Sequence, residues 1–206
     1  MFNIPLLTLQ HLELSAAGVA LAMAIGIPLG YLITRNKILA RTVLAFIDIT
    51  QTIPALALLA LLLLWMGLGN GPLIAALVIY SLLPIVRNTY TGLNSVDASL
   101  IEAGKGMGMT RWQLLRMVQI PIALPVIMAG IRVAMVTAIG IAAIGVLIGA
   151  GGLGAPIWRG MQQMDNGMIL SGAIPAALLA IITETVMERV EQGLTPRGLR
   201  KVVTGN

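Results

Sequence analysis

Long uncharged runs separated by short polar segments are the main pattern in this chain. Residues 15–33 carry no charged side chain, and neither do residues 49–86. Because a membrane-crossing helix needs about 20 mostly apolar residues, the second run is long enough for two helices. The Gly-rich sequence 67–72 near its middle indicates a turn. The pattern predicts five spans, at about 15–34, 43–66, 72–88, 122–148 and 167–186.

The class of protein follows from the continuity of these runs. The strands of a membrane β-barrel alternate polar and apolar side chains, and these runs do not. We therefore predict an all-α integral membrane protein with five transmembrane helices. Composition supports this class, since 58% of the residues are hydrophobic and only 10% are charged. A soluble domain carries about 25% charged residues.

Basic residues are concentrated on one side of the predicted topology. Five spans place the termini on opposite sides, and with an external N-terminus the external segments hold only Arg159. The internal segments then hold Arg35, Lys37, Arg41, Arg87, Lys105, Arg111, Arg116, Arg189, Arg197, Arg200 and Lys201. Because basic residues are enriched in cytoplasmic segments, we predict an external N-terminus and a cytoplasmic tail over residues 191–206. The net charge of +5 thus reflects topology, and no nucleic acid partner is expected.

Several kinds of chemistry are excluded by what the chain lacks. It has no Cys and a single His, His11, so neither a thiolate site nor a His-based metal cluster is possible. The eight acidic residues are scattered and form no recognisable acid–base pair. No Gly-x4-Gly-Lys-Ser/Thr phosphate loop occurs, because Lys105 is followed by Gly106. We expect no catalytic residue and no metal site, and any ATP must be bound by another chain.

Residues 97–120 form the one long polar segment between two predicted spans. Asp97 or Ser99 can cap a short helix, and Thr110 can cap a second helix over residues 111–117. Between the two caps, Gly104, Gly106 and Gly108 are expected to break the helix and let the backbone turn. The second helix is amphipathic, so the segment suits a cleft in a partner protein or, alternatively, the lipid headgroups.

The spacing of Glu102, Ala103, Gly108 and Pro121 resembles the cytoplasmic coupling loop of ABC importer permeases. In that family the pattern is Glu-Ala-Ala, three residues, Gly, nine residues and Ile-x-Leu-Pro, and here Gly104 replaces the second Ala. The resemblance implies contact with a separate ATP-hydrolysing subunit. The residues expected at this contact are Glu102, Ala103, Gly104, Gly108, Arg111, Trp112 and Pro121.

Further stretches resemble the osmoprotectant branch of the type I permeases, which takes glycine betaine, carnitine or choline. They are residues 51–54, 80–93, 105–110, 129–132 and 148–154. The similarity covers about residues 11–190, one ABC transmembrane type-1 domain. It implies a bacterial plasma-membrane importer with a second permease chain, identical or different, two ATP-binding subunits and an extracytoplasmic substrate-binding protein. No cofactor is implied for this chain, since ATP and Mg²⁺ would be bound by the ATPase.

Polar side chains inside the spans are candidates for the transport path, because intramembrane charge is costly. Asp48 and Arg132 can form an ion pair with each other, or one of them can line the path. Gln51 and Thr52 add polarity near Pro54, which breaks the helix in the second span. On the outer side, residues 149–166 are expected to meet the binding protein. Trp158 and Arg159 are the candidate docking residues there, with Trp158 also suited to the lipid headgroups.

Other classes of transporter remain as alternatives at this stage. The residues do not fix the substrate, so a related permease for an amino acid such as methionine is the second hypothesis. An ion-coupled secondary transporter is disfavoured, because it would show more spans and inverted repeats. A small channel or an assembly subunit is a third class, and it would lack a bound ATPase.

Overall fold

The computed structural model describes residues 2–195. Within that range the chain forms nine α-helices, one short π-helical turn and one short 3-10 segment. The helices are α1 (Ile4–Ile33), α2 (Lys37–Thr52), α3 (Ala55–Met66), α4 (Asn70–Asn94), α5 (Ala98–Gly106), α6 (Arg111–Leu114), α7 (Ile120–Ala142), α8 (Gly154–Gln163) and α9 (Asn166–Leu194). A π-helical turn (Leu115–Gln119) precedes α7, and a 3-10 segment (Ala143–Ile148) follows it. Most of the predicted tail, with Arg197, Arg200 and Lys201, lies outside the described residues.

Among the described residues, four continuous helical stretches are long and apolar enough to cross a membrane, and α2 with α3 adds a fifth if they form one broken span. We expected a span over residues 43–66 with a helix break at Pro54, and the chain does break there, since α2 and α3 meet at 95°. The break has a local cause. A proline disfavours the helical conformation of the residue before it, and Ile53, before Pro54, is extended with ψ 124°.

The bent pair α2–α3 joins the two ends of the bundle and therefore crosses it once. Before α2, Gly30 near the end of α1 packs against Thr89, close to the end of α4. After α3, Gly69 N–H donates to Ile148 O, and Gly151 N–H donates to the Asn70 side chain at the start of α4. We call the first end, with residues 34–36 and 95–119, the polar end. The second, with residues 67–70 and 148–165, is the glycine-loop end.

The core of the bundle is formed by α1, α4 and α7, with α9 packed on α7 and α8. The α1–α4 contact depends on small residues four apart along α1. A Cβ on Gly26 would lie 2.9 Å from Ile85 Cγ2, and one on Gly30 would lie 2.6 Å from Thr89 Cβ. These glycines therefore serve packing within one chain, as small residues do in membrane bundles.

The polar segment runs into α7 without a break, which differs from the sequence expectation. We expected a new span from about residue 122, but residues 111–148 form one helical stretch. A proline at 121 cannot donate to the carbonyl of Met117, one α-helical turn earlier. The wider π turn over residues 115–119 accommodates that loss, as such turns do inside α-helices. The end of the polar segment is thus continuous with α7.

Candidate functional site

The polar segment is held by its own side chains at both helix starts. The Asp97 carboxylate accepts a hydrogen bond from Ser99 N–H at 2.8 Å, and this bond lowers the pKa of the Asp97 side chain. Thr110 and Gln113 form a reciprocal capping box at the start of α6. The Thr110 cap was predicted from the sequence, and Asp97 was one of two residues predicted for the first cap, since caps depend only on residues two or three positions apart.

The glycines of this segment have different roles, and only one of them breaks the helix. We expected breaks at Gly104, Gly106 and Gly108, but α5 continues to Gly106. Gly104 is buried, and a Cβ there would lie 2.6 Å from Leu114 Cδ1. It therefore allows α5 and α6 to pack closely. Gly108 turns the chain with φ +79°, a conformation that favours glycine.

The outer surface of the segment combines apolar and charged side chains. Trp112 is 64% exposed, and Met107 and Met117 are exposed to a similar degree, whereas Leu114 and Leu115 face inward. Glu102, Ala103 and Arg111 are also exposed. Large apolar groups on a surface outside the spans indicate a contact that is completed by another surface.

The expected contact residues do not all lie on this surface. Six of them, from Glu102 to Trp112, lie on α5, α6 and the turn between these helices. Pro121, the seventh, is half-buried on α7 beyond the π turn. Its place in the structure is that of a helix-shaping residue rather than of an exposed contact.

Two of the polar candidates in the second span, Asp48 and Gln51, contact α4, and neither contacts Arg132. Asp48 forms an ion pair with Arg87 of α4, with O–N distances of 2.5 and 2.6 Å. The Gln51 side chain donates to Tyr80 O, while Thr52 bonds within its own helix to Ile49 O. The suggested pairing of Asp48 with Arg132 was therefore wrong, because the bend at Pro54 sets α2 against α4.

Tyr80 completes the attachment of the bent pair to α4. Its hydroxyl donates to the carbonyl of Ile53, at the break between α2 and α3. The freed carbonyl of the break thus finds a partner inside the bundle. Gln51 and Tyr80 therefore hold the bend against α4, and the half-exposed ion pair of Asp48 with Arg87 lies beside them.

Arg132 has a different partner, which the sequence analysis did not identify. Its guanidinium lies 3.7 Å from the carboxylate of Glu191 on α9. Glu184 and Glu188, on the same helix, line a cavity of about 430 Å³ together with Arg132. The spacing of Glu184, Glu188 and Glu191 was a readable signal, since residues three and four apart share one face of a helix.

At the glycine-loop end, His11 is fully buried and joins three parts of the chain. Its Nε2 lies 2.9 Å from Ile139 O, and its Nδ1 accepts a hydrogen bond from Leu153 N–H. Since Nδ1 is the acceptor, the ring carries its proton on Nε2 and donates it to Ile139 O. The histidine thus binds one of the last carbonyls of α7 and the amide that precedes α8. Sequence reasoning considered His11 only as a metal ligand.

Trp158 and Arg159, the candidate docking residues, lie on α8 at the same end. Trp158 is 39% exposed, and it lines a small apolar cavity. Arg159 lies over the ring of Phe2, 5.9 Å from its centre. Both side chains border the surface of the glycine-loop end, so the structure brings them together, far from the polar segment.

The arrangement defines a class of protein. Apolar helices form a membrane bundle, one end carries a capped segment with an exposed mixed surface, and charged residues of facing helices line a cavity between α7 and α9. These are the features of a multi-pass transport protein that works with another subunit.

The comparisons with known proteins agree with this class. Residues 22–197 match the family model "Binding-protein-dependent transport system inner membrane component". The chain is 52% identical over 197 residues to the carnitine transport permease protein OpuCD of Listeria monocytogenes, covering 95% of this chain and 88% of that protein. It is 49% identical over 199 residues to the osmoprotectant import permease protein OsmW of Salmonella typhimurium, covering 94% and 93% respectively.

A solved structure has the same fold. A chain of the MetNI methionine ABC transporter, in an inward-facing conformation, superposes with a TM-score of 0.85 at 25% sequence identity. The superposition covers 95% of this chain and 100% of that one. The expected type I ABC importer fold is thereby confirmed.

This chain belongs to the family of binding-protein-dependent transport system inner membrane components. It is a multi-pass inner-membrane permease, and it works with an ATPase and a substrate-binding component. As a permease subunit it is not catalytic, because ATP is hydrolysed on the separate ATPase subunit.

Proposed function

We propose that this chain is the permease of an ATP-driven importer for quaternary-ammonium osmoprotectants of the glycine betaine, carnitine and choline class. The observation that carries the proposal is that relatives named for these substrates align with nearly the whole of this chain. Identity is 53% over 188 residues to the glycine betaine/carnitine/choline transport system permease protein OpuCD of Bacillus subtilis. Identity to the methionine transporter chain is lower, at 25%.

The polar segment is the proposed contact with the ATPase. Its exposed Trp112 and Met107 supply apolar area, and Glu102 and Arg111 supply charge at the edge of that area. ATP and Mg²⁺ are bound by the ATPase, so this chain needs no cofactor of its own. Because residues 111–148 are one helical stretch, a rotation of the segment moves α7 and with it the interior of the bundle.

The proposed assembly has two permease chains, two ATP-binding subunits and one external binding protein, surrounded by membrane lipid. The exposure of α9 supports a second permease, since only 6% of the apolar window of this helix is buried within the chain. The polar end faces the cytoplasm and the N-terminus faces outward, in keeping with the clustering of basic residues at the polar end. Trp158 and Arg159 then face the binding protein.

The coupling role is tested with Gly108→Val and Glu102→Lys in the complete importer. A Cβ at residue 108 meets no neighbouring atom, so the first substitution changes only the turn, and Glu102 is exposed. We expect both variants to assemble, while ATP hydrolysis is uncoupled from uptake and uptake falls by about tenfold or more. Thr42→Ser, on exposed α2, is the matched control. Normal ATP-driven uptake in both variants would refute this contact.

The substrate class is tested separately, on the binding protein that assembles with this chain. Glycine betaine, carnitine, choline and methionine are titrated into it by calorimetry, followed by uptake into proteoliposomes that hold the whole importer. We expect one or more of the three quaternary amines to bind and to be taken up. Binding and uptake of methionine alone would replace the proposed substrate and leave the coupling role intact.

A further inference from the structure

The cavity between α7 and α9 has a lining that neither the family match nor the coupling contact explains. Its volume is about 430 Å³, within the range of about 300 to 1,000 Å³ that small-molecule sites occupy. Its walls carry two kinds of group. The charged groups are Arg132, Glu184 and Glu188, and the smaller residues Ala129, Val133, Val136 and Thr137 form the rest.

The charges around this cavity favour a cation. Arg132 is already faced by Glu191, whose carboxylate lies 3.7 Å away, so Glu184 and Glu188 are in excess. One guanidinium thus stands against three carboxylates. A quaternary ammonium has no N–H to donate, so it is attracted by charge alone and by contact of its methyl groups with apolar walls. Val133 and Val136 provide such walls beside the two glutamates.

Arg132 supplies a positively charged group that can bind a carboxylate. Among residues 2–195, its guanidinium makes the one ion pair with Glu191 and no hydrogen bond, and its side chain is 29% exposed to the cavity. A guanidinium has five N–H donors and binds carboxylates in a forked geometry. Most of the donors of Arg132 are therefore free for a ligand. One carboxylate oxygen of Glu191 is buried without a hydrogen bond. The charge of this carboxylate holds Arg132 in place.

We propose that this cavity is a passage site for the transported molecule, in which Glu184 and Glu188 hold its quaternary ammonium and Arg132 holds the carboxylate of those substrates that have one. The inference rests on the proposed function. No aromatic ring lines the described cavity, so the tight cage that suits such cations is absent. Weak binding is what a transport path needs, since the ligand must also leave.

The place of the site in the fold links it to the ATPase contact. Arg132 lies 21 residues after Arg111 on the same helical stretch, and the glutamates lie on α9. Motion of the polar segment along with α7 therefore changes the distance between Arg132 and the carboxylates of Glu184 and Glu188. The two halves of the site separate when α7 moves relative to α9, and this would release a zwitterion that bridges them.

The test uses the complete importer in proteoliposomes, with uptake of glycine betaine, carnitine and choline and receptor-stimulated ATP hydrolysis measured in parallel. The double variant Glu184→Gln with Glu188→Gln should lower uptake of every quaternary amine that the wild type accepts by about tenfold, because the charge that attracts the ammonium is lost. ATP hydrolysis should stay within about twofold of the wild type, since the polar segment is untouched. Arg189→Gln and Glu13→Gln, on exposed positions outside the cavity, are the matched controls.

The variant Arg132→Gln tests separately whether the arginine binds the carboxylate of the substrate. It should lower uptake of glycine betaine and carnitine, which carry a carboxylate, by about tenfold, and change uptake of choline by less than about twofold. Arg132→Lys should recover part of the loss. If Arg132→Gln does not assemble because Glu191 is left unpaired, the double glutamate variant decides, since neither glutamate is paired with Arg132.

Two results would overturn the proposal. Uptake by the double glutamate variant at the level of the controls would show that the cavity is not on the path. Uptake and ATP hydrolysis that fall together in it would assign the charges a structural role. A wild-type importer that takes up none of the three amines would instead refute the proposed function, and the passage site with it, so the two failures are distinguishable.

Discussion

The polar end and the glycine-loop end of the bundle are built in different ways. At the polar end, two short helices are held by caps from residues two or three positions away, and large side chains such as Trp112 are exposed. At the glycine-loop end, the buried His11 joins positions that are 128 and 142 residues distant in the chain. The first end is held by bonds between near neighbours in the chain. The second is held by contacts between distant parts of the chain.

The largest expected effect comes from adding one methyl group at each end. A Cβ on Gly154 would lie 2.1 Å from Ala143 O, and backbone atoms cannot move aside, whereas a Cβ on Gly108 meets nothing. Gly154→Ala should therefore cost about 3 kcal/mol of stability through overpacking. Gly108→Ala should cost about 1 kcal/mol, from its positive φ alone. Thermal unfolding of the purified importer in detergent measures both variants, and equal shifts in Tm would contradict the comparison.

A somewhat smaller effect is expected from removing the histidine. His11→Leu keeps an apolar side chain of similar size but leaves Leu153 N–H and Ile139 O without their buried partner. An unsatisfied buried group costs about 1 to 3 kcal/mol, so we expect a loss of about 2 kcal/mol. Glu13→Gln, on the exposed side of the same helix turn, is the control and should leave Tm unchanged. A His11→Leu variant with the wild-type Tm would show that the link is dispensable.

The smallest effect concerns pH at the polar end. The bond from Ser99 N–H holds the pKa of Asp97 below its ordinary value. A lowered pKa means that the stabilising contribution is present above the unfolded pKa and is lost as the pH falls through the folded one. The α5 cap should therefore be constant from pH 8 to pH 5 and weaken only below about pH 4.

Hydrogen exchange of the peptide 98–106, corrected for the intrinsic rate, measures this dependence. Protection should be the same at pH 5 and pH 8 in the wild type. Asp97→Ala should lower the protection equally at both pH values, since it removes the acceptor itself. A loss of protection in the wild type between pH 8 and pH 5 would argue against a carboxylate cap.

Much of the polar end could be predicted because its signals are local. Asp97 or Ser99 was expected to cap the first helix and Thr110 the second, and the hydrophobic pattern placed the segment between two spans. The prediction was wrong where the tertiary structure intervened. Gly104 does not break the helix, because α5 continues past it and its missing side chain allows close contact with Leu114.

The interior was less predictable, because its partners are distant in the chain. Asp48 and Arg132 were suggested as a pair on the ground that both are charged and lie in spans. The bend at Pro54 brings Asp48 to Arg87, and the packing of α9 on α7 brings Arg132 to Glu191. A proline indicates that a helix breaks, but not the direction in which the chain continues.

The sequence by itself determined the all-helical membrane class, the capped helix starts of the polar segment and the family. Each of these depends on composition or on residues within one or two helical turns, where periodicity and backbone propensity act directly. Only the tertiary structure decided the 95° bend of the second span, the burial of His11 and the charged cavity between α7 and α9. These depend on which helix faces meet, and side-chain packing between distant segments determines that.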